Sequence, residues 1–440
     1  MLRFDLIYIL ILACLSPIIL IKILLDSRFR KTFLARLKPA IDTPLKIVSH
    51  DSSQKSIWVH AASIGEAGLA VKLIQTWRLK QPHLSFLLTV GTISGLKSVS
   101  QKLDIPVILA PLDFSFMVKR IRKRFNAEHL VLIETEIWPN MIHTMSKAGT
   151  VTIINGRLSN KHYHRYFRFK GLLKQTMTSI RYVLAGDDTS EQRFVNLGVP
   201  QNRVHKFGNM KFELPTIAPK TELEKLHVKY QLNKHQPIFV AGSIQPEEIE
   251  TIISAVQRIE NFDLKLVIVP RHPEKRDEFR RILEGLSVDA VFTSENKPKN
   301  IKDSNSQILI VDEIGILRQF YQIASVIFVG GSLCNRGGQN MMEAIAYQKP
   351  VCVGPYATNF KQEMNLLLQA EGVKIIENSD MLVQFITFSL TEKTAAGEMA
   401  KKGYHLIKEN SGALNKSIEF MDSVILKNSD MGSYESKRNS

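Results

Sequence analysis

Cysteine is scarce in this chain: Cys14, Cys334 and Cys352 are the only three among 440 residues, unevenly spaced and without a CxxC pair. A disulfide framework and a thiolate metal site are therefore not indicated, and a reducing cytosol fits. Also missing are a clear Asp-x-Asp pair or histidine-rich ligand cluster, the GxGxxG dinucleotide fingerprint, and the Gly-Lys-Ser/Thr ending of a P-loop. There is no short internal repeat, and no low-complexity tract outside the closing stretch "KNSDMGSYESKRNS", which has nothing to bury and is expected to form a disordered tail over 427–440. Acidic residues are in deficit, 42 against 58 basic for a net +16, which favours polyanionic partners: nucleic acid, anionic lipid headgroups or phosphorylated substrates.

Against these absences stands a long apolar run. Residues 6–25, "LIYILILACLSPIILIKILL", hold one charged residue, Lys22, and are long enough to cross about 30 Å of hydrocarbon. No A-x-A cleavage site follows, so an uncleaved membrane-anchor helix is expected over 1–27. Arg28, Arg30, Lys31, Arg36 and Lys38 come next, and the positive-inside rule keeps the body of the protein on the cytoplasmic side. Pro17 and Lys22 also suit a helix lying in the interface, and either arrangement puts the protein at a membrane.

After the anchor, short β-rich runs alternate with helical stretches: 56–60, 85–90, 106–110, 129–133, 150–154 and 182–186, then 237–242, 264–269, 289–292, 307–311, 325–331 and 350–354. That alternation predicts an α/β fold made of two Rossmann-like domains, each a parallel sheet covered by helices. The strand pattern lapses over 213–236, which carries two prolines, so the domains are expected at 28–215 and 216–426. In such sheets ligands bind beyond the carboxyl ends of the strands, and two of them facing each other would enclose a cleft.

The stretch "IWVHAASIGEAGLAVKLI" (57–74) passes from a strand-like run to a helical spacing at Ala70, Leu73 and Ile74, continued by Trp77, and Ser63 with Glu66 has the form of a capping box. Glu66 and Glu134 both follow strands, where a carboxylate pair suits general-base work and charge stabilisation. Capping for Glu66 and simple solvation for Glu134 or Glu136 are the structural alternatives, although a base held by a cap would also be preorganised. In the second half, "GGSLCNRGGQNMMEAIAYQKPVCVGP" (330–355) joins a buried strand to a glycine loop and a helix starting near Gln339. Gly337 and Gly338 let amides approach a ligand and the helix adds its positive end, a combination that favours phosphate. Asn340 and Glu343 fall on one side of the first turn, suited to sugar hydroxyls. Arg271 and His272 sit between two prolines after a strand, where Arg suits a forked contact to phosphate or carboxylate. Lys211 precedes the linker, placed for a cation on the cleft floor. The basic, aromatic-interleaved stretches 119–125 and 161–170 suit nucleic acid or anionic lipid, and the anchor favours lipid headgroups and substrate phosphates, with no nucleic acid expected.

Taken in order, "VHAASIGE", "LIETEIWPN", "INGRLS", "GNMKF", "VPRHPE", "FVGGSL…RGGQNMMEA" and "PVCVGPYATNF", behind the apolar amino terminus, resemble the Kdo transferases. These move 3-deoxy-D-manno-octulosonic acid (Kdo) from CMP-Kdo to lipid A precursor in lipopolysaccharide assembly. The resemblance spans nearly the whole chain. It implies a glycosyltransferase B fold at the inner membrane, with the acceptor bound mainly by the first domain and the donor by the second, and no metal. It further implies Glu66 as general base, Glu134 and Lys211 as supports of the transition state, and Pro270 with Arg271 as contacts to CMP. The backbone of Ile314, Gly315 and Ile316 and the helix start Asn340, Met341, Met342 and Glu343 would hold the rest of the nucleotide. The sequence departs from the family pattern at Ile244 and Gln245, where Thr and His are usual, and at Gln339, where His is usual; Gln donates hydrogen bonds but carries no charge. Other readings are a UDP-sugar transferase or epimerase on the same scaffold, and a basic, membrane-bound binder of lipid or nucleic acid.

Overall fold

The computed structural model describes residues 2–37, 54–294 and 307–436. The chain divides into two compact units: one holds the residues up to Lys211 and those from Gly412 onward, the other is Phe212–Ser411.

In the first unit seven parallel strands, β1 (Ser56–Ala61), β2 (Ser85–Val90), β3 (Val107–Leu109), β4 (Ala127–Ile133), β5 (Val151–Gly156), β6 (Tyr182–Ala185) and β7 (Val204–Lys206), lie in the order β3-β2-β1-β4-β5-β6-β7. The apolar runs are continuous because helices cover both faces: β1 is buried at all six residues. One face packs Trp58, Leu87, Leu130 and Leu132 with Met141 and Ile142; the other packs Ile57, Val59, Leu88 and Val131 with the helix Ile64–Lys80. That helix buries Ala70, Leu73, Ile74 and Trp77, the spacing read from the sequence.

In the second unit β8 (Ile238–Ile244), β9 (Lys265–Pro270), β10 (Val291–Phe292), β11 (Ile308–Ile310), β12 (Val326–Val329), β13 (Val351–Val353) and β14 (Lys374–Ile375) form a second parallel sheet, ordered β10-β11-β9-β8-β12-β13-β14. The short edge strands β7 and β14 were not expected. The strand order reverses between β1 and β4 in one sheet and between β8 and β12 in the other, and these reversals are where the loops open a crevice for a ligand.

Three expectations are corrected. The boundary falls after Lys211, before the expected 215, because Phe212 is buried with Leu226, Tyr230 and Leu232 of the second unit. Residues 412–426 belong to the first unit: the helix Ala413–Ser436 buries Ala413, Leu414, Ile418 and Met421 against its core, and Trp77 Nε1 donates to Asp422 at 2.7 Å. The same helix runs through most of the expected disordered tail, to Ser436, and the last four residues lie outside the described ones.

At the amino terminus a helix spans Leu2–Leu25 and a second spans Ser27–Leu37, and Lys38 lies outside the described residues. Among the described helices none is by itself long and apolar enough to cross a membrane; Phe4–Leu10 and Leu12–Leu25, bent by 48°, meet the length and composition of a span only together. The start of the first helix is tied to the first unit. Asp5 accepts from Ser115 N and Asn140 Nδ2, both at 2.9 Å, and Tyr8 donates to Asp113 at 2.9 Å. Phe4 is buried, whereas Leu10, Ile18, Ile21, Leu24 and Leu25 are exposed.

Candidate active site

Glu66 and Glu134 stand on either side of the β1/β4 reversal. The capping box around Glu66 is complete: Ser63 Oγ accepts from Glu66 N at 3.2 Å, while the Glu66 carboxylate accepts from Ala62 N at 2.7 Å and from Ser63 Oγ at 2.9 Å. The cap fixes the carboxylate on its loop without burying it fully. Gly91 supports that loop from β2, since a Cβ there would collide with the Ala62 carbonyl. Burial raises the Glu66 carboxyl above the ordinary carboxylate range, the hydrogen bonds from Ala62 and Ser63 oppose the rise, and the Glu134 charge adds to it. The result is a carboxylate more basic than a solvated one.

Glu134 ends β4 with φ at +61°, a left-handed conformation that a residue with a Cβ adopts only when its surroundings enforce it. Here its N–H donates to Ile154 O at 2.9 Å and the neighbouring Thr135 hydroxyl donates to Arg157 O. The bend sends the side chain to Lys211, whose Nζ lies 3.6 Å from Oε1 with both side chains largely shielded. Lys211 is placed by Asn155 and Asn209, which accept from Met210 N and Lys211 N at 2.9 and 3.0 Å. Glu66, Glu134 and Lys211 are thus all in the first unit.

A third carboxylate belongs to the group. Glu136 accepts from Trp138 Nε1 at 2.8 Å, and Arg36 lies 5.7 Å over the Trp138 ring while donating to Ala110 O and Pro111 O. Its pKa is pushed up to about 7, by burial first and then by the Glu66 charge. The simple solvation open to Glu136 from sequence gives way to partial burial, by Trp138 two residues on and by Arg36 from a distant segment. His60 of the same β1 motif is structural: it is fully buried, its Nδ1 lies 2.8 Å from Thr89 Oγ1, and burial pushes its pKa down to about 3.

The residues expected at the nucleotide lie in the second unit. Pro270 ends β9 and is buried, and the exposed Arg271 donates its N–H to Ile244 O at 2.9 Å. Ile314 is 91% exposed, Gly315 has φ of +91°, and Ile316 packs on the core. The helix at 341 differs from expectation. It is only Met341–Ile345, too short to bring much of a dipole, and Asn340 caps it by accepting from Met342 N at 3.2 Å. Met341 and Met342 are buried in the core, so only their backbone is available, and Glu343 Oε1 is held by Arg318 Nη2 at 2.7 Å. The glycine loop keeps its expected character, since a Cβ on Gly337, at φ +82°, would collide with Asn359. Among the described residues no three His, Cys, Asp or Glu side chains are grouped as metal ligands, and the three cysteines are free.

The family model for 3-deoxy-D-manno-octulosonic-acid transferase matches residues 35–214, the part that holds all three carboxylates. A 3-deoxy-D-manno-octulosonic acid transferase of Haemophilus influenzae is 29% identical over 85% of this chain and 88% of its own length. Its counterpart from Chlamydia trachomatis serovar A is 26% identical over 84% of this chain and 86% of its own. Among solved structures, a glycosyltransferase from Rickettsia africae superposes with a TM-score of 0.53 at 16% identity, covering 84% of this chain and 99% of its own. A UDP-GlcNAc 2-epimerase from Neisseria meningitidis reaches 0.52 at 14% identity, over 85% and 100%. These two likenesses establish a shared fold. The chain is thus similar over most of its length to Kdo transferases, and its residues 35–214 match their family model.

Proposed function

We propose that this enzyme transfers Kdo from CMP-Kdo to a tetra-acylated lipid A precursor, lipid IVA, with Glu66 as general base and without a metal ion. The observation that carries the reading is the preorganised carboxylate of Glu66 at the strand-order reversal of the first unit, beside a Glu134–Lys211 pair. The acceptor binds to the first unit and the nucleotide to the second. An acceptor hydroxyl attacks the anomeric carbon of Kdo, the bond from that carbon to the CMP phosphate oxygen breaks, and the hydroxyl proton passes to the Glu66 carboxylate. CMP leaves with the electron pair. Its phosphate is met by Arg271 and the Gly337 amide, while Lys211, held by Glu134, faces negative charge on the reacting sugar.

The exposed leucines and isoleucines of the first helix, followed by Arg30, Lys31 and Arg36, support attachment to the cytoplasmic face of an anionic inner membrane, where a lipid acceptor resides. The test is an assay of purified protein in detergent with CMP-Kdo and lipid IVA, reading CMP release and product mass. Release of CMP with a product heavier by one or more Kdo residues is expected, unaffected by EDTA. No CMP above a protein-free blank would refute the reading, and tighter binding of UDP than CMP would move it to a UDP-sugar enzyme.

A further inference from the structure

Each unit places a glutamate just after its first strand, at the reversal of strand order: Glu66 after β1 and Glu248 after β8. Their environments are opposite. Glu66 keeps partial exposure, whereas Glu248 is completely buried, and its carboxylate is enclosed by backbone amides. Oε2 accepts from Gln245 N at 2.9 Å and Gly331 N at 2.7 Å; Oε1 accepts from Ser332 N at 3.0 Å and Leu333 N at 2.9 Å. Three of these donors are consecutive residues of the loop after β12, so one carboxylate ties the two loops that flank the reversal. Ser243, near the end of β8, has φ of +58°, a left-handed conformation that a residue with a Cβ adopts only under external restraint, and Gly331 has φ of +67°, which glycine adopts freely.

The tied segment is the floor of the glycine loop. Gly338 N donates to Gly331 O at 2.8 Å, the Gln339 side chain lies against Gly331, and Tyr356 N donates to Ser332 O at 2.9 Å. The adjacent Glu247 holds Arg336 at 2.6 Å, a second grip on the same loop. The amides of 331–333 are therefore spent on the protein's own carboxylate, and ligand contact is left to the segment Arg336–Gln339 suspended above them.

We infer that Glu248 is a positioning residue for the donor: it fixes the loop after β12 so that the Gly337 amide and Gln339 meet the nucleotide. A buried charge with four amide donors is costly to disturb, so Glu248→Gln, which turns an NH2 toward those donors, displaces the loop. The inference rests on the proposed CMP-sugar donor, and the experiment separates the two. CMP affinity is measured by calorimetry, and donor and acceptor KM by kinetics, for the parent, Glu248→Gln and Glu248→Asp, with near-ultraviolet circular dichroism as the check on folding. Expected is a rise in CMP Kd and donor KM of about 10- to 100-fold for Glu248→Gln and a smaller one for Glu248→Asp, with acceptor KM unchanged. A parent that does not bind CMP defeats the proposed function. Folded variants with parental CMP affinity overturn the positioning role, as does loss of fold in both variants, which would make Glu248 a scaffold residue alone.

Discussion

At the level of the residue, the candidate site is a set of charges kept apart by different partners. Glu66 is held by a cap, Glu134 by Lys211 and Glu136 by Trp138, and only the first two were legible in the sequence, because each follows a recognisable strand. Glu136 was not, since the Arg36 guanidinium that completes its shielding over the Trp138 ring comes from a distant segment. Its raised pKa has a consequence for stability. A carboxyl that holds its proton more tightly folded than unfolded costs nothing below its unfolded value of about 4.3, and its penalty grows until the pH passes about 7. Glu136→Gln keeps an acceptor for Trp138 and removes the charge, so thermal melts are expected to show a higher Tm than the parent at pH 8 and an equal one at pH 4. Equal melting at both pH values would refute the assignment. For Lys211, replacement by Met is expected to lower kcat about 100-fold with donor KM little changed, a split that steady-state kinetics reads directly. A loss expressed wholly in KM would place Lys211 in ground-state binding.

At the level of the element, the strands were legible because they are uninterrupted apolar runs buried on both faces, and the helix Ile64–Lys80 because its apolar spacing is its buried face. The edge strands β7 and β14 were not, being two or three residues long and partly polar. The destination of the last helix was hidden too: Ile418 and Met421 mark a helix with an apolar face but do not say which sheet receives it. That return makes the helix part of the first unit, so Ile418→Ala is expected to cost about 2–5 kcal/mol in chemical denaturation of that unit. A cost under about 0.5 kcal/mol would show that the packing adds little. The amino-terminal helix docks through Phe4, Asp5 and Tyr8 and exposes Leu10, Ile18, Ile21, Leu24 and Leu25. Replacing Ile18, Ile21 and Leu25 by Ser is expected to abolish co-sedimentation with phosphatidylglycerol vesicles while transfer to a detergent-dispersed acceptor continues. Unchanged sedimentation would argue against the helix as the attachment.

At the level of the whole molecule, the order of motifs along the chain pointed to the Kdo transferases, to which the chain is similar over most of its length, while the α/β alternation gave two parallel sheets without giving their exact limits. The two units use the same topological position for different ends. In the first, a glutamate after the leading strand is left partly exposed; in the second, its counterpart is buried and holds a loop. The most direct measurement of the central claim is the single-turnover rate of CMP release by Glu66→Gln against the parent, with saturating CMP-Kdo and lipid IVA. The amide cannot take a proton, so the rate is expected to fall about 1,000-fold while CMP affinity stays at the parental value. A variant that turns over within about threefold of the parent would contradict the assignment of Glu66 as the base.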